Sequence, residues 1–553
     1  MLRARFVSLV VLGAIAAAAS AREADSTRRW REDLSYFASE APRRHPNFYH
    51  HLTRDEFSAM VRDLSNRVPA AQDYEIIVGL ARITAALGPR DGHSRVNLLS
   101  PDLHFHTLPL NFHMYSDGIF VRAASKQYAD VVGARLIAIG RLSAEDAFRA
   151  VLGVTAGDNA MSGRADAERL LSVSEVLRAV GAAAGSPAES VPVEVEIAGG
   201  KRTVDVMPTA SLAAVEWVDV RSAKPAFYRR WASHDPFARH TADKNFWFEY
   251  LPDPQLLYVN FSVVGDAPDE SVAAFFDKVF AFADGHKVEK FVLDIRENGG
   301  GNNYLNRPVL YGLIRHEQTL GRRGTLFVMI GRETFSAAQN LANVLDLHTN
   351  AIFVGEPTGG APNHFGDSLR LTLPNSRVPV NLSSVWWQDM DPRDQRLWIA
   401  PDIAAERASI DDREGSDPGL QAIIDYKPAV PLSDRVRQAF LEGGKEKAST
   451  VVAAWRAEPA HKYATGESEL SDLGLQLFGE KRINDAVGVF ELNAAVNGDS
   501  WRAHHNLGRA YAAAEKIDAA RAEFMRALAI RRDAPETLSA IDRLDAGRQN
   551  VPR

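Results

Sequence analysis

The chain has 553 residues, 46% of them hydrophobic and 24% charged, with a formal net charge of −7 and no cysteine. That length exceeds one hydrophobic core and points to roughly three or four domains of ordinary globular composition. The acidic balance leaves no basic footprint for nucleic acid, and the lack of cysteine excludes disulfides, thiolate zinc sites and cysteine nucleophiles.

At the N-terminus Arg3 and Arg5 precede the apolar run FVSLVVLGAIAAAA, which ends in the small residues Ala19, Ser20 and Ala21. A charged start, a short apolar stretch and a small-residue exit predict a secretory signal over residues 1–21. The mature protein is therefore expected to be exported, periplasmic or secreted, with no membrane span after signal cleavage. Residues 26–98 read as a helical domain, because DLSYFASEAP, RDEFSAMVRDLSNRV and DYEIIVGLARITAAL repeat apolar residues at three and four positions. His45, His50 and His51 between the first two helices read as solvated rather than metal-binding, as do His104, His106 and His113. Neither a metal nor an organic cofactor is expected.

Residues 101–210 shift to short strands and a helix: GIFVRAAS, GARLIAIGRLSAEDAFRAV and VPVEVEIAGGKRTVDVMP. Residues 240–410 alternate strand and helix through LLYVNFSVV, ESVAAFFDKVFAFADGH, FVLDIR, TLFVMI and AIFVGEP. That alternation predicts an α/β sheet with its site at the strand ends. Residues 430–550 are helical and repeat: Leu473 and Leu507, Gly474 and Gly508, Ile483 and Ile517, Ala486 and Ala520, Phe490 and Phe524 are each 34 apart. This is the period of a tetratricopeptide (TPR) array, whose paired helices offer a groove to a protein partner.

Chemistry concentrates in the strand-helix region. FVLDIRENGGGNN ends a strand in three glycines, where backbone N–H groups can face a ligand. LFVMIGRETFSAAQNLANVLDLH runs from strand to helix and places Ser336 at the helix N-terminus, where the helix dipole favours developing negative charge. Ser336 is the candidate nucleophile, although Ser336 and Gln339 also spell S-x-x-Q, a capping box that carries no chemistry.

Three ordered motifs resemble the C-terminal processing (tail-specific) and tricorn core-like serine peptidases. The first, D-L-R-x-N-x-G-G, is present as Asp294, Ile295, Arg296, Glu297, Asn298, Gly299, Gly300 and Gly301. The second is Thr334, Phe335, Ser336, Ala337, Ala338 and Gln339, and the third is Gly355, Glu356, Pro357, Thr358, Gly359 and Gly360. The resemblance implies a multidomain α/β fold with an N-terminal helical segment, a PDZ-like domain over 101–210, an α/β serine peptidase core and C-terminal α-helical TPR-like repeats. It also implies oxyanion donors in the backbone N–H groups of Ala337 and Gly300.

The tail-specific branch takes its base from a lysine after the serine, and none occurs between Lys290 and Lys427. The tricorn-like branch takes it from a histidine ahead of the PDZ-like segment, which points to His93 in LGPRDGHSRVNL; His364 is the local competitor. The third triad member is left open: the segment before the closing strand offers Asp389, Asp391 and Asp394 but no glutamate, and Gln395 lies near the family position. The expected function is an exported serine endopeptidase acting on unfolded or flexible polypeptide through a Ser336 acyl-enzyme, with His93 as base. The alternative is a catalytically inactive peptidase fold that recruits partners through its TPR-like tail.

Overall fold

The computed structural model describes residues 2–213, 215–220 and 245–549, with side chains described from residue 23 to 546 apart from the same gaps. The side chains of the expected signal, the expected start of the peptidase core at residue 240 and the expected end of the tail at residue 550 lie outside the described residues. The chain forms two compact units, Met1–Ala400 with Ala405–Asp425 and Pro401–Ala404 with Tyr426–Arg553.

The first unit opens with three helices, α1 (Leu2–Arg44), α2 (Arg54–Arg67) and α3 (Asp73–Ala85). Thr53 and Glu56 close a reciprocal capping box at the start of α2. An antiparallel sheet follows, with order β1 (Leu110–Tyr115), β2 (Gly118–Ser125), β3 (Arg135–Ile139), β4 (Val191–Ile197) and β5 (Gly200–Val206). Between β3 and β4 lie α4 (Ala144–Leu152), α5 (Ala160–Leu170) and α6 (Ser174–Ala179). The helical and strand-rich segments share one core, in which Leu34, Ile76 and Leu80 belong with Val121, Leu136 and Val193. Each of these elements has one apolar face, and burying those faces in common removes more surface from water than two small cores would.

The second layer is a sheet of order β10 (Ile352–Gly355), β9 (Leu326–Ile330), β8 (Lys290–Asp294), β7 (Leu256–Phe261) and β6 (Phe246–Leu251), parallel except for β6. Val328, Leu293 and Val259 are fully buried, and every residue of β9 is buried, as expected of a central parallel strand covered on both faces. The flanking helices are α7 (Val272–Gly285), α8 (Arg307–Arg315) and α9 (Ala337–His348). Asp294 pairs with Met329, and Met329 with Val354, so these three strands end together. Their following loops therefore leave one edge of the sheet, the usual place for a site in such folds. A hairpin, β11 (Asn363–Thr372) with β12 (Pro379–Gln388), continues from the last of these loops.

The second unit contains α10 (Leu432–Ala457), α11 (Glu467–Gly479), α12 (Ile483–Val496), α13 (Trp501–Ala513), α14 (Ile517–Ile530) and α15 (Pro535–Gln549). The repeated glycines have a packing reason. A Cβ at Gly474 would lie 2.5 Å from the Phe490 ring, and one at Gly508 would lie 2.6 Å from the Phe524 ring. Both phenylalanines are 1% exposed and cannot swing away. Alanine at 508 should gain about 1 kcal/mol of helix propensity but lose about 1–3 kcal/mol to overpacking. Gly508→Ala is therefore expected to lower the stability of the helical unit by about 1 kcal/mol, read as a lower urea midpoint; a higher midpoint would contradict the packing argument.

Candidate active site

The turn from β9 to α9 presents Ser336. Thr334 closes it by donating its hydroxyl to the Ile295 carbonyl at 2.8 Å and accepting the Gly331 N–H at 3.0 Å. The Phe335 N–H donates to the Asn298 carbonyl at 3.1 Å, tying the serine turn to the glycine loop after β8. Ser336 itself sits at φ 53° and ψ −126°. A side chain adopts that left-handed region only when its surroundings impose it, at about 1–3 kcal/mol.

The capping-box alternative does not form. The Ser336 hydroxyl makes no cap bond with the backbone of α9, and Gln339 donates instead to Asn343 at 2.8 Å. The hydroxyl lies 3.0 Å from Nε2 of His93, a residue 243 positions earlier. With Ser336 donating to Nε2, the imidazole carries its own proton on Nδ1.

His93 packs between Phe335, with ring centroids 4.6 Å apart and planes at 24°, and His364, at 5.8 Å and 9°. Burial lowers its pKa from 6.5 to about 3, and the neighbouring His364 and Arg95 push in the same direction, while the Asp91 charge and the Phe365 backbone act the other way. The ring is thus a neutral base at ordinary pH. Its Nδ1 is buried and, among the described residues, makes no hydrogen bond of good geometry, the Phe365 backbone being a weak partner.

Among the described residues, no carboxylate completes a triad at that nitrogen. Asp394 is turned to Arg396, accepting its Nη2 at 2.8 Å and its backbone N–H at 2.9 Å. Gln395 is exposed, Asp391 binds Arg393 at 2.6 Å, and Asp389 accepts from Asn340 and Asn343. His364 does not replace His93: it is buried, and its Nδ1 bonds the Ala361 carbonyl at 2.8 Å. Asp91, two residues before His93, is the nearby anion that sequence reasoning missed. It is fixed by the Ser383 hydroxyl at 2.6 Å and His45 Nε2 at 3.1 Å.

The oxyanion side is divided. Ala337 opens α9, and its N–H is one of the helix-start donors that has no carbonyl in a preceding turn. Gly300, at φ 105°, lies directly against the serine: a Cβ there would stand 2.7 Å from Ser336 Cβ and 2.8 Å from Ala337 N. Its N–H, however, donates to Asn298 Oδ1 at 2.9 Å. The position fits the expectation from the motif, but that N–H must be released or shared before it can serve an oxyanion. The same loop is anchored below by Arg296, which binds Asp294 and also Asp417 at 2.8 Å.

Of the six histidines expected to be solvated, His51 and His104 are exposed, whereas three pair with carboxylates: His45 with Asp91, His106 with Glu175 at 2.8 Å and His113 with Glu168 at 2.8 Å. Arg332, at the start of the serine turn, binds Glu168 and Glu356 and donates to the Met114 carbonyl at 2.9 Å. The turn is thereby held from α5 and β1 as well as from its own sheet. Sequence spacing gives no signal for these pairs, since partners come from distant segments. Among the described residues, no group of three or more acidic or histidine side chains is arranged to hold a metal ion, and no helix is long and apolar enough to cross a membrane.

In the helical unit, a cavity of about 580 Å³ has an apolar floor of Phe478, Phe490 and Phe524 and is also lined by Asn506, Arg509 and Arg543.

No family model and no curated protein matches the chain. Among solved structures, it is similar to a crystal structure of a CPAF mutant, with a TM-score of 0.50 and 12% identity over 73% of this chain and 99% of that one. It also matches the photosystem II D1 C-terminal processing protease, at a TM-score of 0.32 and 13% identity over 71% of this chain and 96% of that one. A partial match, at a TM-score of 0.16 and 18% identity over 22% of this chain and 91% of that one, is to the first TPR of Spaghetti (RPAP3) bound to an HSP90 peptide. At these identities the likeness is one of fold, and the CPAF match carries it. Over about three quarters of its length the chain shares the fold of CPAF, and its tail is a row of helical hairpins repeating at 34 residues.

The lowered pKa of His93 has two measurable consequences. The unfolded chain takes up a proton near pH 6.5 and the folded chain only near pH 3, so the stability that this ring contributes above pH 6.5 is lost as pH falls through that window. Phosphonylation of Ser336 by a fluorophosphonate, with loss of fluoride, is expected to show no inflection near pH 6.5 and to fall only at more acid pH. An inflection at 6.5 would mean that the ring is solvated.

Proposed function

We propose that the chain is an exported serine endopeptidase that hydrolyses peptide bonds in unfolded or flexible polypeptides. The observation that carries the reading is the 3.0 Å approach of His93 Nε2 to Ser336 Oγ at the start of a helix, beside a glycine loop. His93 takes the hydroxyl proton as Ser336 Oγ attacks the scissile carbonyl carbon. The resulting oxyanion is held by the Ala337 N–H, with the Gly300 N–H joining once it leaves Asn298. His93 then gives its proton to the leaving amine, and the acyl-enzyme forms. Water, activated by the same imidazole, adds to the ester and releases the second product, restoring Ser336. The chemistry is complete with protein groups alone.

Residues 1–21 would direct export. The TPR-like tail would recruit a protein partner through its cavity, where Arg509 and Arg543 favour an acidic segment over a basic one. A second reading, a peptidase fold kept only for binding, draws on the occupied Gly300 N–H and the weakly partnered Nδ1 of His93.

Mature protein lacking residues 1–21 is expected to degrade casein, with products read by mass spectrometry. Ser336→Ala and His93→Ala should each lower the rate by at least about 10³-fold, Ser336→Ala with melting little changed and His93→Ala with the lower melting that truncating a buried ring brings. His364→Ala should cost less than either. Wild-type protein that is folded yet neither cleaves nor labels would favour the binding reading.

Peptide binding to the tail can be tested separately by fluorescence anisotropy. Acidic peptides should bind more tightly than basic ones of the same length, and Arg509→Glu with Arg543→Glu should remove that preference. Equal binding of both peptide types would refute the charge argument.

A further inference from the structure

We infer that Asp158 is a positioning residue for His93, performing through the backbone the orienting task that a triad carboxylate performs at the imidazole; the inference rests on the peptidase reading above. Asp158 lies in the loop between α4 and α5, within the strand-rich segment and far in sequence from every motif. It is fully buried. Its Oδ1 accepts the Gly92 N–H at 2.7 Å and its Oδ2 accepts the Ala361 N–H at 3.0 Å. Gly92 immediately precedes His93. Ala361 bears the carbonyl that holds His364, the ring stacked on His93. One carboxylate thus fixes the loop that carries the base and the loop that supplies one wall of its stack.

A second observation comes from the backbone. Arg90 sits at φ 72°, a conformation that a non-glycine residue keeps only when held. Its N–H donates to the Asp158 carbonyl at 2.8 Å, and its own carbonyl accepts the Phe365 N–H at 2.7 Å. Asn159, the next residue, donates to the carbonyls of Thr358 at 3.0 Å, Gly360 at 3.3 Å and Leu397 at 2.6 Å. The Asp158–Asn159 pair therefore bridges the base loop, the loop after β10 and the closing segment.

The residue type matters. Burial holds the Asp158 carboxyl above the usual carboxylate range, against the influence of His364 and of the two N–H donors. A carboxylate in such a place is costly unless its two oxygens are needed. An amide offers one acceptor oxygen and turns an NH₂ toward the other donor, so asparagine cannot bind both N–H groups. Gly92 fits the same arrangement: a Cβ there would meet Asp158 N at 2.9 Å, Asp158 Oδ1 at 3.1 Å and the Phe335 ring at 3.0 Å.

The test uses the full mature chain, a fluorophosphonate that labels Ser336 and a peptide substrate. Asp158→Asn is expected to lower kcat by roughly 10- to 100-fold, the scale of a small misplacement of a reacting group. KM should stay within about two-fold, Ser336 labelling should slow by the same factor as kcat, and melting should fall, because one buried N–H loses its acceptor, while the variant stays folded at the assay temperature. Gly92→Ala should shift kcat in the same direction and decides the matter if Asp158→Asn does not fold. A folded variant that labels and turns over at the wild-type rate overturns the inference. So does a loss of activity that merely tracks the fraction unfolded. Wild-type protein that neither labels nor cleaves overturns the peptidase reading itself, a result distinct from active wild type beside an unimpaired Asp158→Asn.

Discussion

The close approach of Gly300 to Ser336 is the constraint on which the site depends. The two residues come from loops after neighbouring parallel strands that end at the same level. Only the absence of a side chain at Gly300 lets the glycine loop pass over the serine turn, since a Cβ would lie 2.7 Å from that of Ser336. The Thr334 bonds and the Phe335–Asn298 bond hold the serine turn, in which Ser336 takes a left-handed conformation with its hydroxyl free of the helix cap and 3.0 Å from His93. Local strain of this kind persists only where rigid neighbours over-determine it, and β9 is buried at every residue and β8 at every residue but Lys290.

The base reaches this point from another layer of the molecule. Its loop follows the N-terminal helices, whose core is shared with the antiparallel sheet, and it is pinned by buried polar groups: Ser94 and Asp91 to Ser383, Asp91 to His45 and Gly92 to Asp158. Arg332 does the same for the serine turn, reaching Glu168 of α5 and Glu356 of the next loop. Buried ion pairs of this kind add little net stability, because desolvation offsets their attraction. Their effect here is geometric, because each removes a way for the two layers to slide while keeping the sheet intact.

Electrostatically, the pair differs from a triad built around a carboxylate. His93 is held neutral by burial and by its neighbours His364 and Arg95, and in the proposed mechanism an imidazolium at His93 would have Asp91 as its nearby anion rather than a carboxylate on Nδ1. Stacking on Phe335 and His364 limits the tilt of the His93 ring. In the proposed mechanism this arrangement would exchange some transition-state stabilisation for a base that stays unprotonated over a wide pH range.

Much of this was legible in the chain. Hydrophobic periodicity revealed the helices and the buried strands, the 34-residue spacing revealed the helical repeat, and the motifs around Gly300 and Ser336 marked a strand-end site, because these features are local and their periods follow from helix and strand geometry. The absence of lysine between Lys290 and Lys427 ruled out one base without any structure. What sequence could not settle were relations between distant segments: that His93 and not His364 meets Ser336, that Asp394 is spent on Arg396, that Asn298 occupies the Gly300 N–H, and that Asp158 and Asp91 hold the base loop. Hydrogen bonds and burial act over a few ångströms in space with no regard for separation along the chain, so only the packing of the two layers decided which polar groups meet.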